Sequence, residues 1–144
     1  MSAKLKEVAG AVIRRKVVVP ASNTILKDQL LMIDATNSGL VPATSSAATT
    51  TLRAVAQTPL TSTGSASSVE AIFISPVQLW EIDCTSNTAS NQLWKRHALT
   101  DGVTVNNSSS EATGTTGVAE MVAIVGAASD KKALFRLHAS AVTA

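Results

Sequence analysis

Val77-Gln78-Leu79-Trp80-Glu81-Ile82-Asp83-Cys84 alternates residue by residue. Val77, Leu79, Glu81 and Asp83 fall on one face, and Gln78, Trp80, Ile82 and Cys84 on the other. A period of two is the signature of an extended strand with unlike faces. Pro76 separates this run from another strand-like stretch, Glu70–Ser75, and proline cannot continue an interior ladder. Two adjacent strands of this quality predict a β protein, and the flanking sequence extends the pattern in both directions.

On the N-terminal side, Arg15–Val19 is rich in β-branched residues and stops at Pro20. Leu30–Asp34 is a short apolar run closed by the turn-forming Asn37-Ser38-Gly39. Thr51–Gln57 alternates, with Leu52, Ala54 and Ala56 expected on one side and Arg53, Val55 and Gln57 on the other. On the C-terminal side, Gln92–Leu99 reads as a strand carrying Trp94, and Asp101-Gly102 as a tight turn. Ala119–Val125 and Lys132–His138 close the chain as two strands around Gly126–Asp130. Three stretches read as connections: Ala43–Thr51, Pro59–Ser68 and the polar tip Asn106–Thr116. The expectation is an all-β fold, a compact barrel or sandwich of about eight to ten short strands, with no long helix.

The composition excludes more than it assigns. Ala, Ser and Thr supply 57 of 144 residues, while there are one Cys, two His and no Tyr. Charged residues are 15% of the chain, against about 25% in an ordinary domain. Hydrophobic residues are 45%, so the chain has the apolar content to fold. A sparsely charged surface gives little protection against association, which suggests assembly. A net charge of +2 is too small for a nucleic-acid binder. No apolar run approaches the ~18 residues of a membrane span, and Arg14-Arg15-Lys16 stands where a signal peptide would be cleaved. Cys84 has no partner for a disulfide and sits in an apolar run, which suits a buried thiol made in a reducing cytoplasm.

Candidate chemistry is thin. His97 and His138 have no second His or Cys at ligand spacing, so no metal site is expected. Glu81 and Asp83 share a strand face, but a cross-strand pairing with Lys95 and Arg96 accounts for them better than acid/base work. There is no Gly-x-Ser-x-Gly elbow and no Gly-rich phosphate loop. The missing Tyr argues against a trimeric dUTPase-type hydrolase, whose motifs are not found. Trp80 and Trp94 fit core anchors better than sugar-stacking platforms. The reading is a non-enzymatic protein without catalytic residues or cofactors.

The positive charge is uneven. Lys4, Lys6, Arg14, Arg15 and Lys16 crowd the first sixteen residues, opposed only by Glu7. Residues 1–12 read as an extended N-terminal arm before a single domain over 13–144. Lys4, Leu5, Val8 and Val12 can form one face of a short helix, though so short a piece takes its shape from what it contacts. Such an arm is expected to be dispensable for folding and to dock on an acidic partner surface.

Two segments carry a resemblance. One is Val77-Gln-Leu-Trp-Glu-Ile-Asp-Cys-Thr-Ser-Asn-Thr-Ala-Ser-Asn-Gln-Leu-Trp94 with its continuation to Asn107. The other is Gly117-Val118 and on through Val125-Gly-Ala-Ala-Ser-Asp-Lys-Lys-Ala-Leu-Phe-Arg-Leu137. They resemble the head decoration, or cement, proteins of tailed bacteriophages. The resemblance covers about the C-terminal half and is one of style, without a diagnostic motif. It implies a protein, often trimeric, that binds the outside of an icosahedral shell and strengthens it. The implied partner is the phage major capsid protein, the implied location the capsid exterior, and self-association is expected. Neither nucleic acid nor membrane is an expected partner. Lys4, Leu5, Val8, Val12, Arg14 and Arg15 are the expected capsid contacts. The alternatives are another virion component, such as a head-completion, tail-tube or fibre-base protein, or a carbohydrate-binding module.

Overall fold

A computed structural model describes residues 3–8, 12–62, 64–108 and 116–139, with Glu7 and Val8 described by their backbone alone. Over these residues the chain is nearly all β. Its strands are β1 (Ala3–Val8), β2 (Arg14–Val19), β3 (Leu30–Ile33), β4 (Leu40–Pro42), β5 (Leu52–Ala56) and β6 (Ser67–Phe73). They continue as β7 (Gln78–Cys84), β8 (Arg96–His97), β9 (Leu99–Asp101), β10 (Thr104–Val105), β11 (Ala119–Val125) and β12 (Lys132–Leu137). Two sheets result, ordered β8-β11-β12-β7-β10-β9 and β2-β6-β5-β3-β4, with β1 added beside β7 in the first. The choice between barrel and sandwich resolves into features of both. One sheet nearly closes on itself, and the second packs against it through a shared core.

β7 organises the first sheet. It pairs with β12 along one edge (Lys132↔Asp83 to Phe135↔Trp80), and with β1 then β10 along the other. The expected alternation holds at every position. Gln78, Trp80, Ile82 and Cys84 are buried, and Leu79, Glu81 and Asp83 are half-buried. Trp80 joins Ile82, Phe135, Leu137, Met121 and Leu99 in the main core. The sheet curls because one short segment serves both ends. β8 pairs with β11, β9 pairs with β10, and only Ala98 separates β8 from β9.

The second sheet is buried on both faces. Leu30, Leu52, Val55 and Ile72 enter the main core, while Val19, Leu31, Ala54, Ala56, Val69 and Ala71 form a second cluster with Ile25. A bulge explains the split in β5. Leu31 pairs with Ala54 and Met32 with Leu52, leaving Arg53 as the extra residue. The expected grouping of Leu52 with Ala54 and Ala56 is therefore corrected: Leu52 faces with Val55, and Ala54 with Ala56. Small side chains suit this second interior, because the sheet bends until its edges approach. A Cβ on Gly39, whose φ is +135°, would lie 2.6 Å from the Val18 carbonyl oxygen. Only glycine fits that turn between β3 and β4.

Other expectations meet the structure unevenly. The pairs β3 with β4 and β11 with β12 form around the turns read from sequence. The connection over residues 43–51 is anchored inward by Ala43 and Ala47, which are buried in the main core. The strand expected over Gln92–Leu99 is corrected too. Ser90–Gln92 is a single 3-10 turn, Trp94 is left-handed at φ 65°, and pairing begins only at Arg96. The cause lies in the buried Asn107. Its amide donates to Ser86 O (3.0 Å) and Gln92 Oε1 (3.2 Å), while Gln92 Nε2 donates to Asn107 O at 3.0 Å. These bonds turn Gln92 inward and break the ladder. Asn107 belongs to the expected polar tip, of which residues 109–115 lie outside the described chain.

Residues 3–8 do not form a detached arm or a helix. They are the strand β1, antiparallel to β7 from Ala3↔Ile82 to Val8↔Gln78. Ala3 is fully buried and Leu5 half-buried, while Lys4 and Lys6 are exposed. That alternation beats the helical grouping because β7 has an edge to fill and Trp80 a face to cover. Deleting residues 1–8 is accordingly expected to lower stability by roughly 2 kcal/mol or more. Trp80→Ala should cost about 3–5 kcal/mol. Urea titrations followed by circular dichroism check both, and an unchanged midpoint in either variant contradicts this packing.

Candidate functional site

Among the described residues β1 pairs with β7 alone, and its Lys4 and Leu5 border a groove. The groove has a volume of about 480 Å³. Half-buried Leu5 lines it with the buried Ile72 and Trp80 beneath, and Lys4, Arg14 and Lys27 bring three cations from three separate stretches of chain. Asp28 and Gln57 complete the lining. Lys4, Arg14 and Lys27 are exposed, and none has an ion-pair partner among the described residues. By contrast, Lys6 lies 3.3 Å from Glu81 and is neutralised there.

The local chain path sets this geometry. Asp28 is left-handed at φ 64°, which aspartate tolerates better than most residues. Its N–H donates to Ala56 O at 2.8 Å, and its carbonyl accepts from the Ala3 N–H at 2.9 Å. These bonds hold the Lys27–Asp28 turn against the start of β1. The second bond also orients β1. In an antiparallel pair, alternate residues turn their main-chain groups toward and away from the partner strand. Ala3 points its N–H away from β7, so Leu5, two residues on, does the same. The Leu5 N–H and C=O thus face the groove, and no second strand pairs with them among the described residues.

Of the six expected contact residues, the structure brings Lys4, Leu5 and Arg14 together. Arg14 and Arg15 are neighbours on β2 and so point to opposite faces, Arg15 to the side of Val17 and Val19. Val12 is half-buried against the main core and acts in packing. Val8 ends β1 opposite Gln78, and its side chain lies outside the described residues. Lys27 is the residue that sequence reading missed. Nothing in the stretch Leu26-Lys27-Asp28-Gln29 marks it, because its role depends on the fold placing the turn beside β1.

Several other titratable groups have structural partners. Glu81 and Asp83 were expected to pair with Lys95 and Arg96; that pairing is corrected. Glu81 meets Lys6, Asp83 stands opposite Lys132 in the ladder, and Arg96 Nε donates to Gly117 O. His138 Nε2 lies 2.8 Å from Glu120 Oε1, with Arg136 at 3.8 Å from the same oxygen. His97 is buried, and its Nε2 faces Gln92 O at 3.3 Å. Among the described residues, no three His, Cys, Asp or Glu side chains gather as metal ligands. Trp80 is the expected core anchor, but Trp94 is 67% exposed. Its left-handed backbone is costly for a bulky residue. It is held there by the bond from its N–H to Met121 O at 2.7 Å.

Compared with protein-family models, with curated proteins and with solved structures, the chain matches none.

Cys84 is the remaining reactive group. Burial pushes its thiol up to about 12, helped by the Asp83 charge beside it. A thiol that keeps its proton is a poor nucleophile. The native protein should be inert to Ellman's reagent at pH 8 and release one equivalent of chromophore in urea. The folded thiol is more basic than the unfolded one, whose ordinary value is 9.0. Its contribution to stability is therefore complete below pH 9 and declines from pH 9 to about 12, as the unfolded chain loses the proton first. Urea midpoints of wild type and Cys84→Ala should converge over that window, and a wild-type advantage that grows with pH contradicts the assignment.

Proposed function

We propose that this chain is a structural protein of a bacteriophage head, binding the outer surface of an icosahedral capsid and stabilising it. The observation that carries this reading is the groove beside β1. Lys4, Leu5 and Arg14, expected from sequence to touch a partner, converge there with an open strand edge. Cations without ion-pair partners among the described residues, an apolar Leu5 and main-chain groups that no described strand pairs suit holding a polypeptide. They do not suit bond-making, which needs a nucleophile or a poised acid and base. The resemblance of residues 77–107 and 117–137 to decoration proteins supports the same reading. On it, the partner is the major capsid protein, the location is the virion exterior, and copies associate, with a trimer favoured. Each copy that bridges neighbouring capsid subunits stabilises the assembled shell by mass action. Many equivalent sites allow modest affinity per site.

A carbohydrate-binding module is the second reading, and exposed Trp94 favours it, since sugar platforms need an accessible ring. Two measurements separate these possibilities. On the decoration reading the gene adjoins that of a major capsid protein, and gel densitometry of purified heads finds hundreds of copies per particle. A copy number of a few marks a head-completion or tail component, and absence from heads removes the virion reading. On the sugar-binding reading, oligosaccharides protect Trp94 fluorescence from acrylamide; no protection by a glycan panel removes that reading.

A further inference from the structure

We infer that the groove between β1 and the Lys27–Asp28 turn receives an extended acidic segment of a partner protein, which adds to the free edge of β1. This deepens the capsid-binding reading and rests on it for the identity of the partner, but not for the chemistry of the site.

Three observations select this occupant. The first is charge. Lys4, Arg14 and Lys27 face one groove with only Asp28 against them, and none is paired among the described residues. Bringing three like charges together is unfavourable unless an anion relieves it. The second is the strand edge. The main-chain groups of Leu5 turn into the groove, and a strand laid beside β1 satisfies them by the hydrogen bonding used in strand addition. A small anion or a phosphate ester cannot use both a donor and an acceptor spaced along a strand. The third is the half-buried Leu5 side chain, an apolar surface at the groove beneath which Ile72 and Trp80 lie buried. A strand presents alternate residues to opposite sides. Alternating acidic and apolar residues therefore set carboxylates against the cations and aliphatic groups against Leu5. A β-bulge between Leu5 and Glu7 ends the regular edge, which limits the added strand to a few residues.

The test uses the full chain and a synthetic peptide, (Val-Glu)4. Calorimetric titration should show binding that Lys4→Glu with Arg14→Glu weakens roughly tenfold or more. Lys95→Glu, an exposed cation outside the groove, should leave affinity unchanged. A peptide N-methylated at alternate residues should bind correspondingly weakly, because it loses strand hydrogen bonds. All three substituted positions are exposed, and thermal melting checks that the variants fold. Undiminished binding by the double variant, equal loss in Lys95→Glu, or full affinity for the N-methylated peptide overturns the proposal. Displacement of the peptide by inorganic phosphate or oligo-dT at lower concentration also overturns it and makes the site one for phosphates. Cosedimentation with heads lacking the protein separates this proposal from the reading beneath it. If wild type and double variant coat heads equally, the groove assignment fails and decoration stands. If wild type binds (Val-Glu)4 as described but no heads, decoration fails and the groove stands.

Discussion

The antiparallel pairing of β1 with β7 is the constraint on which the rest depends. β7 lies at the middle of the first sheet, and Trp80 at its centre is fully buried. One edge of β7 is taken by β12 along Trp80–Asp83, and the other is shared end to end by β1 and β10. Such sharing is possible because β10 is only two residues long and pairs in parallel at Asp83 and Cys84. Had β10 run further, β1 would have had no edge to join. Because β1 is present, Ala3 and Leu5 lie across from Ile82 and Trp80, and the main core is covered on that side.

The same pairing creates the proposed binding site. A strand added at the margin of a sheet leaves its own outer edge free, and proteins ordinarily blunt such edges with charge, bulges or short length. β1 has two of these: lysines at positions 4 and 6, and a bulge between Leu5 and Glu7. Lys6 is neutralised by Glu81, but Lys4 has no ion-pair partner among the described residues, and Arg14 and Lys27 line the same groove. Charges that discourage unspecific pairing select an acidic strand. An edge protected against other copies of this positively charged surface is thereby suited to a partner of opposite charge.

Much of the fold was legible because burial imposes simple periods. β7 was readable because one face is dry and the other only partly so, which makes alternation strict over seven residues. β11 and β12 were readable from the turn around Gly126, whose φ is +70°. Failures occurred where a local device broke the period. Arg53 shifts the faces of β5 by one residue, which no alternation pattern reveals. The stretch after Gln92 has strand composition, yet a buried amide fifteen residues downstream, Asn107, pulls it out of the ladder. For the first residues, Lys4, Leu5, Val8 and Val12 suited a helix, while the structure forms a strand with Ala3 and Leu5 on one face and Lys4 and Lys6 on the other. The free edge of β7 decided between them, and that edge is not visible in the local sequence. Half of the candidate contacts met for the same reason: Lys4 and Arg14 are ten residues apart in sequence, and Lys27 joins them only through the turn at Asp28.

Amide hydrogen exchange, resolved by residue, tests the central claim most directly. In the free protein the Lys4 N–H, directed at β7, should exchange slowly, and the Leu5 N–H, directed into the groove, should exchange quickly. When the acidic partner segment binds, the Leu5 N–H should become protected while Lys4 changes little. Slow exchange at Leu5 in the free protein, or exchange there that stays fast in the bound state, would contradict the account.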